Sequence, residues 1–208
     1  MMDNTMQIEN HKENVPFAHY VQLFRQLDPM AAASWIKGIG WNRNQFQLSL
    51  LGRTYAISHP EYAIRALDGG GAPPVTVQTF LLRYLTESAP TAFSGGWKTF
   101  REMPWGEVYM KAYSGRVLSR AAFTFGKKPD AFRSACEKLG GEPINHGDAG
   151  FEIPFLGNYW MRILIWEGDE EFPPSAQILY SDNFAEGFTA EDRVVAADIL
   201  ISAIKAQM

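Results

Sequence analysis

The last third of the chain contains three apolar segments that an antiparallel sheet accommodates best. They cover residues 150–155, 161–166 and 176–180, and each is rich in aromatic and branched aliphatic side chains. Only a short loop separates the first segment from the second, whereas parallel neighbours need a crossover of about a dozen residues or more. The spacing therefore predicts antiparallel strands joined by loops.

A second group of strands is predicted nearer the N-terminus. Residues 45–50 alternate between polar and apolar, as a half-buried strand requires. Gly52-Arg53 predicts a type II′ hairpin turn with Gly at the first central position, followed by a return strand through Tyr55 and Ile57. Further short strands are predicted at 62–66 and 97–101, and the Gly- and Pro-rich residues 68–74 predict a loop.

Helical spacing of apolar residues predicts helices in three other parts of the chain. Asn14 and Pro16 predict the start of the first helix, and a second runs to Ile36 and is stopped by Gly38 and Gly40. A helix is predicted around 77–87, and a helical pattern spans 107–139 with interruptions near 115 and at 126–129. Thr189 is the predicted N-cap of a C-terminal helix. Its predicted apolar stripe consists of Val194, Ala197, Leu200, Ile201 and Ile204.

These elements define the expected architecture. A chain of 208 residues fits one domain with one core. We expect a disordered leader over residues 1–14 and a single globular α+β domain over 15–208. The N-terminal meander and the C-terminal strands should form one antiparallel sheet, covered by several helices mainly on one face and completed by the C-terminal helix.

Composition excludes several classes of protein. A net charge of −4 argues against nucleic-acid binding, which needs an excess of Lys and Arg. The single cysteine, Cys136, excludes an intrachain disulfide framework and a multi-cysteine metal site, and it favours a reducing cytoplasm. No stretch approaches the roughly 20 apolar residues of a membrane helix, and no signal peptide is recognisable. We therefore expect no nucleic-acid partner and no membrane association.

An acidic segment follows the strand at 161–166. It contains Glu167, Asp169, Glu170 and Glu171, and Asp148 is expected on a neighbouring strand end. Carboxylate oxygens are the ligands that Mg²⁺ and Ca²⁺ prefer, so Asp148, Asp169, Glu170 and Glu171 form a candidate metal site. The alternative is a solvated turn whose carboxylates cap backbone donors or pair with basic residues.

A basic and aromatic segment occupies the middle of the chain. Arg101, Trp105, Tyr109 and Arg116 are the candidate ligand-binding residues, because a planar anionic ligand can stack on the rings and pair with the guanidinium groups. The alternative is internal charge complementarity with the acidic strands.

Two further residues are weaker candidates for chemistry. His146 lies two residues before Asp148 in a Gly-containing turn, where a hydrogen bond within the loop explains it better than acid–base catalysis. Cys136 shares an apolar helix face with Phe132 and Leu139, which predicts a buried, inert thiol.

Three stretches together resemble a known family. They are Phe100-Arg101-Glu102-Met103-Pro104 with Gly106, the turn Gly140-Gly141-Glu142-Pro143, and the run Trp166-Glu167-Gly168-Asp169-Glu170-Glu171-Phe172-Pro173-Pro174-Ser175-Ala176. They resemble the bacterial family catalogued as domain of unknown function number 3786, over most of the chain. The resemblance implies no assigned activity and an association with anaerobic bacteria. Some members carry an iron–sulfur domain of the kind found in corrinoid proteins. This chain, with one cysteine, lacks such a module, so a redox role would need a separate partner.

The sequence therefore leaves the cofactor unknown and favours a binding or accessory protein over an enzyme. The expected ligand is an anionic or planar cofactor, and the expected protein partner is a redox or corrinoid protein in anaerobic metabolism. The first alternative is a metal-dependent hydrolase or transferase that uses the acidic cluster. The second is a protein-interaction module without a small ligand.

Overall fold

The computed structural model describes residues 11–88 and 91–208, and it contains one sheet in which every strand pairing is antiparallel. Its strands are β1 (Ile39–Asn42), β2 (Gln45–Leu50), β3 (Arg53–Ser58), β4 (Ala63–Ala66), β5 (Trp97–Thr99), β6 (Glu142–Ile144), β7 (Ala149–Leu156), β8 (Tyr159–Trp166) and β9 (Ser175–Ser181). The order across the sheet is β4-β3-β2-β7-β8-β9-β5, with β1 also pairing with β2 and β6 with β7. The predicted α+β class and the antiparallel sheet are confirmed.

The helices are α1 (His11–Arg25), α2 (Pro29–Trp35), α3 (Val75–Glu87), α4 (Gly106–Tyr113), α5 (Ser119–Phe125), α6 (Pro129–Lys138), α7 (Phe184–Gly187) and α8 (Ala190–Gln207). Residues Ser114–Leu118 form a π-helical turn between α4 and α5. None of the helices in the described part of the chain is long and apolar enough to cross a membrane.

The core lies between the sheet and the helices. Alternate residues of β7, β8 and β9, such as Phe151, Ile163 and Ile178, are fully buried because they face the helical layer. Phe132 of α6 packs edge-on against Phe151 at a centroid distance of 5.8 Å. Burying aromatic side chains of this size, each covering about 150–250 Å², is the main source of stability for such a layer.

On the opposite face of these strands, Arg162 organises a half-buried polar row. Its guanidinium lies 4.0 Å from the ring centroid of Trp97 on β5 and pairs with Glu152 on β7 at 2.8 Å. Cation–π and ion-pair contacts therefore join three strands across the face that points away from the helices.

The β2–β3 turn differs from the prediction. Its central residues are Leu51 and Gly52, with φ of 49° and 78°, so the turn lies one residue earlier than expected and has the two positive φ angles of type I′ rather than the angles of type II′. Leu51 adopts this conformation because it is buried and because its N–H donates to the carbonyl of Phe155 on β7 at 2.8 Å. The contact to a distant strand overrides the local preference for glycine.

A predicted strand and a predicted helix break take another form in the structure. The strand predicted at 97–101 ends at Thr99, because the carboxylate of Glu102 accepts hydrogen bonds from the N–H and hydroxyl of Thr99 and turns the chain. The break predicted near Gly115 is a π-helical turn, so the chain stays helical from α4 into α5.

One element boundary needs correction, and two short strands were missed. The first described helix begins at His11, earlier than Asn14, so residues 11–14 of the predicted leader are helical and residues 1–10 lie outside the described residues. Strands β1 and β6 were not predicted. Each is three or four residues long and takes its conformation from pairing with a longer strand, which local sequence does not encode.

The C-terminal helix is confirmed in detail. Thr189 caps it through a reciprocal capping box with Asp192. Four of the five predicted stripe residues are buried, and Val194 is half-buried. Cys136 is also buried, as its position beside Phe132 predicted.

Candidate functional site

The four candidate ligand-binding residues do not converge. Arg101 is exposed and pairs with Glu107 at 3.1 Å, and Tyr109 is exposed on the first turn of α4. Arg116 pairs with Asp198 on α8 and lines a groove of about 840 Å³ beside the middle of that helix. Trp105 alone borders a different cavity, at the start of α8.

Two of the four acidic candidate residues accept hydrogen bonds from backbone N–H groups. Asp169 accepts hydrogen bonds from the N–H groups of Phe172 and Glu171 at 2.7 and 2.8 Å, and these bonds lower its pKa. Asp148 accepts from the N–H of Glu167 at 2.8 Å, while Glu170 and Glu171 are exposed. Within residues 11–88 and 91–208, no group of three or more His, Cys, Asp or Glu side chains could hold a metal ion. The arrangement is the one expected for a capped turn.

The cavity beside Trp105 has a volume of about 320 Å³ and lies where three parts of the chain meet. They are the last turn of α3, the turn before α4, and the segment from α7 to the first turn of α8. Its described lining consists of Arg83, Glu87, Ser88, Pro104, Trp105, Ala185, Glu186, Gly187, Phe188, Thr189, Ala190, Asp192 and Arg193. We call this space the α8 cavity.

Arg193 is a buried cation in the wall of the α8 cavity. Its side chain is 1% exposed, Nε donates to the carbonyl of Thr189 at 3.0 Å, and Nη2 donates to the carbonyl of Pro104 at 2.6 Å. Its other terminal nitrogen, Nη1, has no hydrogen-bond partner among the described residues. Burial lowers the pKa of Arg193, although the side chain stays charged because arginine titrates far above neutral pH. One terminal NH2 group of a buried charge is therefore left unsatisfied.

A second arginine in the cavity wall is already neutralised. Arg83 of α3 pairs with Asp192 of α8 at 2.7 Å and with Glu87 one turn along its own helix at 3.3 Å. Asp192 is 4% exposed, and burial raises its pKa despite the neighbouring guanidinium. The Arg83–Asp192 pair fixes the end of α3 against the start of α8.

Trp105 is held at the mouth of the cavity in an unfavourable conformation. Its φ is 65° and its side chain is 71% exposed. The N–H of Gly106 donates to the carbonyl of Met103 at 2.9 Å, which closes a tight turn with Trp105 at the position that normally requires glycine. A left-handed conformation at such a residue costs on the order of 1–3 kcal/mol. Arg193 holds this turn through its hydrogen bond to Pro104.

Sequence reasoning missed Arg83, Glu186, Asp192 and Arg193. One signal was present for Arg193, because it lies four residues before Ala197 and seven before Leu200, on the apolar stripe of α8. A charged residue on the buried face of a helix indicates a specific polar partner or a ligand. The cavity itself depends on three segments that are far apart in sequence.

The fold and the site define an α+β protein with a single antiparallel sheet and a small mixed-charge cavity beside the N-terminus of its last helix. The chain belongs to the family described as Domain of unknown function (DUF3786), whose family model matches residues 28–203. Comparisons with curated proteins and with solved structures gave no match. The described lining of the α8 cavity falls inside the matched region, so the cavity is part of the family domain.

Proposed function

We propose that the protein binds a small ligand with an anionic group and a flat apolar part in the α8 cavity. It acts as a binding or accessory protein in the cytoplasm rather than as an enzyme. The observation that carries this proposal is the unsatisfied Nη1 of Arg193. Leaving a charged donor buried and unpaired costs on the order of several kcal/mol, and a carboxylate or phosphate oxygen of a ligand would remove that cost.

The size and the walls of the cavity support a small ligand. Its volume of about 320 Å³ is at the lower end of the roughly 300–1,000 Å³ range of ligand pockets. The exposed indole of Trp105 at the mouth offers a surface for stacking a planar group, and Phe188 adds an apolar wall.

The chemistry of the wall favours binding over catalysis. Its described lining includes neither His nor Cys, and the buried carboxylate of Asp192 is occupied by Arg83 and by the capping box. The other two carboxylates of the lining, Glu87 and Glu186, are exposed to solvent, outside the buried part of the cavity. General acid–base catalysis needs a group that can release or take up a proton at a substrate atom. The single cysteine of the sequence favours a reducing compartment, and a redox or corrinoid protein partner stays a prediction from the family resemblance.

The test uses protein labelled with 5-fluorotryptophan, in which the six tryptophans give separate ¹⁹F signals and Trp105→Gly identifies the signal of Trp105. Benzoate, 3-phenylpropionate and phenyl phosphate are titrated to about 5 mM, which detects millimolar Kd values. The expected result is a saturable shift of the Trp105 signal with at least one anion.

Matched neutral compounds provide the control. Benzamide and 3-phenylpropanamide have nearly the same shape as the two carboxylates and should bind at least about tenfold more weakly, because a neutral amide cannot satisfy a buried cation as well. Equal binding of acid and amide, or the absence of any saturable shift with all three anions, would overturn the proposal.

A further inference from the structure

The charges around the α8 cavity are arranged by depth. Arg193, fully buried in the wall, is positive, and the exposed lining residues that carry charge, Glu87 and Glu186, are both negative. The indole face of Trp105, also at the mouth, attracts cations through its quadrupole. A ligand that is only anionic would have to pass an acidic mouth to reach Arg193.

Among the charged residues that line the α8 cavity, one cation and one carboxylate take part in no ion pair. Arg83 is shared between Asp192 and Glu87, at 2.7 and 3.3 Å. In the described part of the chain, neither Arg193 nor Glu186 takes part in an ion pair. The α8 cavity therefore presents a buried cation and, at its mouth, a carboxylate, each without an ionic partner.

The position of Glu186 is set by the packing around α7. Phe184 and Phe188 on either side of it are buried in the core, and their rings contact each other at a centroid distance of 5.1 Å and an angle of 33°. Gly187 approaches the hydroxyl of Tyr159 so closely that a Cβ there would collide with it. The backbone that carries Glu186 is therefore fixed, although its side chain is exposed.

Resting on the proposed function, we infer that the ligand of the α8 cavity is a zwitterion of the amino-acid type with a flat apolar side chain. Its carboxylate meets Arg193, its ammonium group lies at the mouth near Glu186, and its side chain stacks on Trp105. Such a ligand satisfies the unpaired guanidinium without repulsion by the acidic mouth. Its own two charges cancel, so the site gains no net charge on binding.

The experiment compares three compounds that differ by one charged group each. L-phenylalanine carries both groups, 3-phenylpropionate lacks the ammonium group, and phenethylamine lacks the carboxylate. Affinities are measured on the ¹⁹F signal of Trp105 in the full chain. L-phenylalanine should bind at least about tenfold more tightly than either analogue.

A conservative variant tests the role of Glu186. Glu186→Gln should weaken L-phenylalanine about tenfold and leave 3-phenylpropionate unchanged or tighter, because the amide neither attracts the ammonium group nor repels the carboxylate. Glu191→Gln is the matched control. Glu191 is an exposed carboxylate on the first turn of α8 outside the lining of the α8 cavity, so its removal should change neither affinity.

The outcomes separate this inference from the proposed function. Binding of 3-phenylpropionate as tight as that of L-phenylalanine would leave an anion site in place and overturn the zwitterion. A Glu186→Gln variant that changes both affinities equally would also overturn it. If L-phenylalanine, 3-phenylpropionate, benzoate and phenyl phosphate all fail to bind, the proposed function itself fails.

Discussion

The hydroxyl of Tyr180, on strand β9, donates a 2.9 Å hydrogen bond to the backbone carbonyl of Arg193. The same hydroxyl lies 3.0 Å from that of Tyr113 on α4, and all three residues are buried. Because Tyr180 gives its proton to Arg193, Tyr113 is the donor in the bond between the two hydroxyl groups. The sheet thereby fixes the backbone that positions the cation of the α8 cavity.

This direction of donation predicts unequal costs for two similar substitutions. Tyr180→Phe leaves the buried hydroxyl of Tyr113 without an acceptor, at about 1–3 kcal/mol, whereas the carbonyl of Arg193 lies inside α8, keeps its helical hydrogen bond and loses only a second donor. Tyr113→Phe removes only a donor and should cost about 0.5–1.5 kcal/mol. Urea unfolding of the two variants gives the order. Equal losses would contradict this direction of donation.

Replacing Trp105 should separate stability from binding. Both Trp105→Gly and Trp105→Ala remove the indole and should abolish ligand binding, but only glycine adopts φ near 65° without strain. Glycine relieves backbone strain that costs about 1–2 kcal/mol in alanine. It also gives the unfolded chain more conformational freedom, which lowers the stability of the Gly variant by about 0.4–1 kcal/mol. The net result should be a Gly variant about 1 kcal/mol more stable than the Ala variant. Chemical denaturation measures the difference, and a more stable Ala variant would contradict the left-handed assignment.

Asp192 should make stability fall as pH rises. Burial raises its pKa in the folded state above the value of about 3.9 for an unfolded chain, so the folded protein holds the proton more tightly. The stabilisation by protonation is complete below the unfolded pKa and is lost as pH rises through the folded pKa. Asp192→Asn cannot titrate and serves as the reference.

The quantity to measure is the free energy of unfolding of the wild type minus that of Asp192→Asn, between about pH 4 and pH 7. This difference should decrease with pH. An increase would show that the ion pair with Arg83 outweighs the cost of burial and holds the pKa below its ordinary value.

Cys136 should not react with thiol reagents in the native state. It is fully buried, and burial raises the pKa of its thiol, which suppresses the reactive thiolate. Labelling with a chromogenic disulfide should therefore follow the unfolding rate and become rapid in urea. Rapid labelling without denaturant would show that the helix face of α6 opens to solvent.

The sequence predicts the elements with strong periodicity and misses those that depend on pairing. The alternation in β2 and the apolar stripe of α8 are local patterns, so both elements were found. Strand β1 follows Gly38 and contains Gly40, and it is a strand because β2 lies beside it. The predicted type of the β2–β3 turn was wrong because Leu51 takes its conformation from a hydrogen bond to β7.

The same reason limits prediction of the site. Trp105 borders the α8 cavity, but Arg101 and Tyr109, which were predicted to form one site with it, do not line that cavity. The other charged residues of the cavity include Arg83, on α3, and Glu186 and Arg193, in the segment from α7 to α8. Only the buried position of Arg193 in the helical stripe gave a signal, and its contact to Pro104 could not be read from spacing.

The junction between the two halves of the sheet has a kinetic consequence. Strands β2 and β7 come from distant parts of the chain and pair at Leu50 and Leu156, next to the hydrogen bond from Leu51 to Phe155. The β2–β3 hairpin and the β7–β8–β9 meander can each form from segments that are close in sequence. Pairing of β2 with β7, in contrast, must close a long loop. It should therefore form late in folding and open first in native-state hydrogen exchange. The amide proton of Leu51 should exchange earlier than those in the middle of β8. The two halves of the sheet would then separate between β2 and β7 before either half unfolds.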